Sequence, residues 1–181
     1  LKKIALIGSE PASLLNFRGD LISDLVSRGY CVTTISNLPS PQLRTKLREL
    51  GARHKTVPFT RRGLNPFGDF ITLIKLLKVL WCERPDIVLS YTIKPVIWGG
   101  LACLMLGINH VSLITGIGTS LYSKTGIKNN IVRYIALFLY RFTLTHAKCV
   151  IFQNQDNLDF FNKKMLIRSN QATVINGSGV N

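Results

Sequence analysis

Thr92 and Lys94, in the segment Ser90-Tyr91-Thr92-Ile93-Lys94-Pro95, and Gly116, Gly118 and Thr119, in TGIGTS, are the residues whose types and spacing best fit ligand chemistry. Each group follows directly on an apolar, β-branched run, residues 86–90 and 110–115, and a helix-sized apolar segment separates the two. That is the pattern of a strand–helix–strand crossover. Its two turns emerge at one edge of a parallel sheet, beyond the carboxyl ends of the strands, where open α/β sheets bind ligands. Lys94 is flanked by apolar sequence, so it either meets an anion or snorkels over the sheet edge. Gly116 and Gly118 either let backbone approach a ligand closely or serve a tight turn.

Two further strand ends carry candidates. After the first apolar run, KIALIG, the turn GSEPAS holds one glycine, where a dinucleotide fingerprint would place three and a Walker A loop would add a lysine. Nicotinamide, flavin and P-loop chemistry are therefore disfavoured. The loop read over residues 9–17 still presents Ser9, Ser13 and Asn16, with Arg18 at a helix entrance suited to attracting an anion; the alternative is that Ser13 or Asn16 only caps the helix. Farther on, Gln153, Asn154 and Asp156 cluster at a strand end, fit either to bind sugar hydroxyls or to cap a helix.

These turns need elements to hold them. Apolar runs at residues 3–8, 30–36, 53–59, 86–90, 110–115, 148–154 and 172–176 read as strands; between them, amphipathic or apolar stretches at about 17–28, 41–50, 67–82, 96–106, 130–145 and 156–164 read as helices. Strand and helix alternate about seven times with no two-residue hairpin signal, which predicts a doubly wound α/β fold: a parallel sheet of about seven strands with helices on both faces. Residues 1–176 are expected to form one Rossmann-like domain, with 177–181 starting a linker to a second domain that these residues do not include.

Composition narrows the partners. The 181 residues carry 23 Lys+Arg against 9 Asp+Glu, a formal net charge of +14, which implies polyanionic company. Arg61, Arg62, Lys75 and Lys78, and later Lys124, Lys128, Arg133 and Arg141, are interleaved with Ile, Leu, Phe and Tyr. This suits either an anionic membrane surface or ordinary core-facing helices with solvated charges. No nucleic-acid motif or stacking platform accompanies them. Between Pro95 and Ser123 there is no Lys, Arg, Asp or Glu. Its glycine interruptions make that stretch a buried helix plus a buried strand rather than a spanning helix, and the apolar run at the start of the chain is too short for a signal peptide. Cys31, Cys82, Cys103 and Cys149 form no C-x-x-C pair and read as buried thiols of a reducing compartment. His54, His110 and His146 lack metal-ligand spacing and read as surface or strand-end residues.

SLLNFRGDLISDLVSRGYCV after the first strand, RPDIVLSYTIKPVIWGGLA, the TGIGTSLYS turn, CVIFQNQDNLDFF and the closing VINGSGVN, taken together and in this order, resemble the N-terminal domain of a GT-B glycosyltransferase, family 4-like, of the bacterial surface-polysaccharide type. The resemblance implies retaining transfer of a sugar from a nucleotide-sugar to a lipid-linked saccharide, on the inner, anionic face of the membrane. It also implies that this domain binds mainly acceptor, while a C-terminal domain with a paired-glutamate motif holds most of the donor. In that frame Ser9, Asn16 and Arg18 approach the donor phosphates or the acceptor, and Thr92, Lys94, Gly116, Gly118 and Thr119 line the cleft floor. No metal and no other cofactor is expected, since cationic side chains and helix N-termini can stabilise the departing diphosphate. Many relatives place a histidine near the end of the fourth strand, where this chain has Ser90-Tyr91, so no general base is assigned. A non-catalytic acceptor- or membrane-binding module and a nucleotide-sugar epimerase are the competing readings.

Overall fold

The computed structural model describes residues 2–60, 65–116, 127–175 and 177, with the side chains of 127–133 and 169 left out. β1 (Lys3–Ile7) leads into two short helices, α1 (Pro11–Asn16) and α2 (Gly19–Ser27). There follow β2 (Cys31–Ser36), α3 (Pro41–Glu49), β3 (Arg53–Thr56), α4 (Pro66–Glu83) and β4 (Ile87–Tyr91). A π-helical turn, Pro95–Gly99, runs into α5 (Gly100–Leu106) and then β5 (Asn109–Ile114). α6 (Ile127–Leu144), β6 (Cys149–Phe152), α7 (Gln155–Lys163), a 3₁₀ turn (Ser169–Gln171) and β7 (Ala172–Val174) complete the order. The seven strands form one parallel sheet in the order β3-β2-β1-β4-β5-β6-β7, the architecture the alternation predicts.

Local chemistry sets the boundaries. α3 and α4 each begin with proline in the first turn, and Ser40 and Asn65 cap them by accepting from the N–H groups of Leu43 (3.3 Å) and Gly68 (3.0 Å). α5 closes on Gly107, whose φ of +67° is the left-handed geometry that glycine adopts without penalty. One element departs from the sequence reading: residues 11–16, expected as loop, are a helix. Pro11 starts it and Leu14 is fully buried, but six residues are too few to display a helical period.

Strand order and crossover hand decide which face each helix covers. From β1 the chain moves outward through β2 to β3, then returns past β1 and moves the other way from β4 to β7. With right-handed crossovers these two directions place their helices on opposite faces. Accordingly Leu6 and Tyr91 pack with Leu14, Ile22 and Leu47 of α1–α3, whereas Ala5, Ile7 and Val88 pack with Leu76, Leu80, Ala102 and Cys103 of α4 and α5. On that second face Ile114, Val150 and Phe152 meet Ala136, Tyr140 and Phe161 of α6 and α7. The Phe161 ring stands edge-on to both Tyr140 and Phe152. The first face therefore has three helices over β1–β3, and among the described residues no helix lies over Leu89, Val111 and Ile151.

Of the side-chain expectations, one is narrowed, His110 standing at the start of β5 as read but in the core, and one is corrected. His110 is buried under Gly100: a Cβ added there would come within 2.8 Å of the imidazole. Its Nε2 is 2.6 Å from the Ser90 hydroxyl and its Nδ1 3.4 Å from that of Ser112. Of the cysteines, all free, Cys103 is buried and Cys31 and Cys149 are half-buried, but Cys82 is exposed on the outer side of α4.

Burial pulls the His110 imidazole down to about 4. Below its ordinary value of 6.5 the unfolded chain takes up a proton that the folded His110 refuses until about pH 4. Its contribution is thus complete above pH 6.5 and is lost progressively between 6.5 and 4, up to about 3 kcal/mol. Urea unfolding at pH 7 and pH 5 should show this loss, and His110→Gln should flatten it.

Candidate functional site

The strand ends converge at the carboxyl edge of the sheet, and between β1 and β4 the crossovers part to opposite faces. This is the topological switch point, where a crevice opens. Ser9, just beyond β1, and Thr92, just beyond β4, meet there with their hydroxyls 3.4 Å apart. Thr92 has φ +67°, a conformation a β-branched residue rarely adopts and one that clusters at functional sites.

Arg18 lies between α1 and α2. Its side chain is 5% exposed, one terminal nitrogen donates to the Phe17 carbonyl (2.6 Å), and the guanidinium sits 5.0 Å over the Tyr91 ring. Its Nε is buried without a partner. Among the described residues no carboxylate is paired with it, and burial holds its pKa below the ordinary arginine value. A buried guanidinium lacking a counter-anion is expensive to maintain unless an anion arrives. Arg18, Asn16 and Gln153 line one groove of about 630 Å³, which continues along the bare face of the sheet over Leu89, Val111, Leu113 and Ile151.

Tyr91 holds Arg18 in place, and sequence reasoning missed it. Its hydroxyl is 2.8 Å from that of Ser13, and its ring occupies the space over Gly8, where an added Cβ would lie 2.3 Å from the phenol oxygen. Burial, partly offset by Ser13 and Arg18, pushes the phenol up to about 12. Ser13 donates to the Glu10 carbonyl (2.6 Å) inside α1, and neither it nor Asn16 caps a helix. The available signal was the lone glycine ending β1, which leaves room for a large side chain at the neighbouring strand's end.

The other predicted residues are dispersed. Lys94 turns toward α4, where its ammonium is 2.8 Å from the Asp69 carboxylate and hydrogen-bonds the Thr60 hydroxyl. Asp69 is buried and also accepts from Thr60 (3.2 Å). The charge of Lys94 is thus already matched inside the protein, and among the described residues Arg18 is a buried cation of this edge without a carboxylate. Asn154 caps α7, accepting from the Asn157 N–H at 2.8 Å, and Asp156 sits exposed in its first turn. Gly116 follows β5, half-buried, without positive φ and with open space where a side chain would be. Gly118 and Thr119 lie outside the described residues.

The chain is 31% identical over 180 residues to the N,N'-diacetylbacillosaminyl-diphospho-undecaprenol alpha-1,3-N-acetylgalactosaminyltransferase of Campylobacter jejuni, a match covering 99% of this chain and 47% of that enzyme. Among solved structures it superposes on Anabaena HepE in complex with UDP and glucose with a TM-score of 0.68 at 14% identity, covering 98% of this chain and 45% of the other. It also superposes on the UDP-GlcNAc 2-epimerase of Methanocaldococcus jannaschii with a TM-score of 0.61 at 15% identity, covering 97% and 45%. The chain thus spans about half the length of the proteins it matches. A model of the glycosyl transferase 4-like family matches residues 3–154, and with that span the chain belongs to the glycosyl transferase 4-like family, built on one Rossmann-like half of the GT-B fold.

Proposed function

We propose that these residues form the acceptor-side domain of a retaining glycosyltransferase that moves a sugar from a nucleotide-sugar to a lipid-linked saccharide in surface-polysaccharide synthesis. The observation that carries this reading is the match along 99% of the chain to an enzyme named for transfer to a diphospho-undecaprenol saccharide. Arg18 supports it chemically. It is a buried cation without a carboxylate beside a groove and near the switch point, suited to a diphosphate of either acceptor or donor, with Ser9 and Thr92 as hydroxyl partners. In this reading the donor site is completed by a second domain joined after residue 176, no metal is required, and the enzyme works in the cytoplasm at the anionic inner face of the membrane. One domain without its partner would be inactive.

The test is transfer by the complete enzyme to a polyprenyl-diphosphate-linked acceptor. Arg18→Gln should raise KM for the diphosphate-bearing substrate by roughly 10–100-fold, the loss of a charge-assisted hydrogen bond. It should leave thermal stability level or higher, because an unpaired buried charge is removed. Unchanged KM for both substrates would exclude Arg18 from the site.

The fold likeness to a UDP-GlcNAc 2-epimerase favours a second reading, nucleotide-sugar epimerisation. Product analysis with and without acceptor separates the two: an epimerase converts the nucleotide-sugar without acceptor, a transferase does not. If neither product forms, the chain serves as a non-catalytic acceptor- or membrane-binding module.

A further inference from the structure

The amino edge of the sheet, opposite the edge that carries Ser9, Arg18 and Thr92, has a hollow of its own. The turns that lead into β5, β6 and β7, three neighbouring strands, border a space of about 550 Å³ there. Strands of four to six residues separate it from the carboxyl edge, roughly 13–20 Å at the rise of a strand.

Parallel crossovers bring helix C-termini to this edge, and those negative ends attract cations on their own account. Here their carbonyls are already taken. Gly107 and Ile108 donate their N–H groups to the Leu104 (3.4 Å) and Cys103 (2.9 Å) carbonyls at the end of α5. At the end of α6, His146 and Ala147 do the same to Thr143 (3.3 Å) and Leu144 (3.0 Å). The Gln171 amide adds a bond to the Leu144 carbonyl (2.6 Å), and His146 Nδ1 donates to that of Phe142 (2.7 Å). Lys148 and Arg168, which line the hollow with Asn109 and Asn170, are therefore not needed to cap a helix.

Their charge is also unanswered. The side chains of Lys148, Arg168 and Asn170 are exposed and make no hydrogen bond or ion pair with the described residues. No Asp or Glu is among the described residues that line the hollow. The nearest acid along the sheet, Asp86 at the start of β4, accepts the Lys3 N–H at 2.7 Å. Two cations gathered in one concave site suit a phosphoryl group, which takes charge-assisted bonds from both. The amides of Asn109, Asn170 and Gln171 beside them offer donors and acceptors to hydroxyl groups. Among the described residues no Trp, Tyr or Phe lines the space, and the His146 ring is packed on Phe142 at 5.3 Å, so nothing there stacks a nucleobase.

We propose that this hollow binds a phosphorylated sugar, its phosphate on Lys148 and Arg168 and its hydroxyls on the asparagine and glutamine amides. The site is separate from the transfer chemistry and stands whether or not that reading holds.

The experiment titrates the full-length protein calorimetrically with glucose 1-phosphate, glucose 6-phosphate, inorganic phosphate and glucose. At least one hexose phosphate should bind more tightly than inorganic phosphate, and glucose should not bind measurably. Lys148→Gln combined with Arg168→Gln should weaken the hexose phosphate at least about tenfold. Asn170→Ala should weaken it about fivefold and leave inorganic phosphate unchanged. These three side chains are exposed, so folding is preserved, and circular dichroism verifies it. Arg18→Gln, at the other edge, should bind hexose phosphate as the wild type does. Loss of binding in Arg18→Gln with retention in the lysine–arginine variant would overturn the proposal, because it moves the ligand to the carboxyl edge. So would the absence of hexose phosphate binding, or equal affinity for hexose phosphate and inorganic phosphate, the mark of a surface that only collects ions. Sugar transfer without added hexose phosphate should be unchanged in the lysine–arginine variant, and a wild-type protein that transfers no sugar would sink the transferase reading while leaving this site to the titration.

Discussion

Lys94→Ala is expected to lower the unfolding free energy by about 3 kcal/mol, because it strands a buried carboxylate. Asp69 is 2% exposed, and besides Lys94 it has the Thr60 hydroxyl as a side-chain partner. Its position in the first turn of α4 lends some support from the helix dipole, which places the loss toward the lower end for a broken buried pair. Replacing both partners with apolar residues, Lys94→Met with Asp69→Leu, should recover most of that stability. Chemical denaturation of the two single variants and the double variant would measure the coupling. The same cycle separates two roles for Lys94. If it only neutralises Asp69, substrate affinity returns with the fold in the double variant. If its ammonium also meets a substrate phosphate, affinity stays low in a protein whose stability is restored.

Gly8→Ala should have an effect of similar size by a different route. The new methyl would lie 2.3 Å from the Tyr91 hydroxyl oxygen and 2.4 Å from the ring carbon bearing it, far inside contact distance. Tyr91 cannot swing aside cheaply, because Ser13 bonds its hydroxyl and Arg18 covers its ring. Overpacking of this kind costs about 1–3 kcal/mol, and here the displaced ring is the one on which Arg18 rests. Anion affinity should therefore fall together with stability. Adding Tyr91→Leu should restore the melting temperature of Gly8→Ala without restoring anion affinity, since a leucine relieves the clash but offers no aromatic face. Equal recovery of both would show that Tyr91 merely fills space.

The sheet was legible in the sequence because its signals are local. Residues such as IVLSY and CVTTIS are β-branched runs closed by turns, and they match observed β4 and β2 to within a residue or so. α1 was not legible, being shorter than the period that would reveal it. The site was legible only in part, for a related reason. Ser9 and Thr92 follow from strand ends in a predicted sheet, and their meeting follows from strand order. Lys94 stands at a strand end too, but its partner Asp69 is 25 residues earlier in the chain, and nothing local in the sequence announces that a helix will deliver a carboxylate there. Tyr91 escaped notice because an aromatic residue ending a strand is ordinary, and its importance lies in what it excludes above Gly8 and supports beneath Arg18. The bare half of the sheet face is likewise a property of topology, set by the direction of successive crossovers and absent from any single window of residues.

The strand order also governs how the chain acquires its shape in time. β1 lies at the centre of the sheet, yet one of its two neighbours is β4; Lys3 donates its N–H to the Asp86 carboxylate, 83 residues along the chain. During synthesis at roughly 5–20 residues per second, β1 must wait roughly 4–17 s for that neighbour. Through this interval β1–β3 and α1–α3 are a half-sheet with one face open, its central edge unpaired and apolar. An unpaired edge of this kind invites pairing with another chain, so the vulnerable period of this protein precedes its completion, and prompt delivery of α4 and β4 ends it.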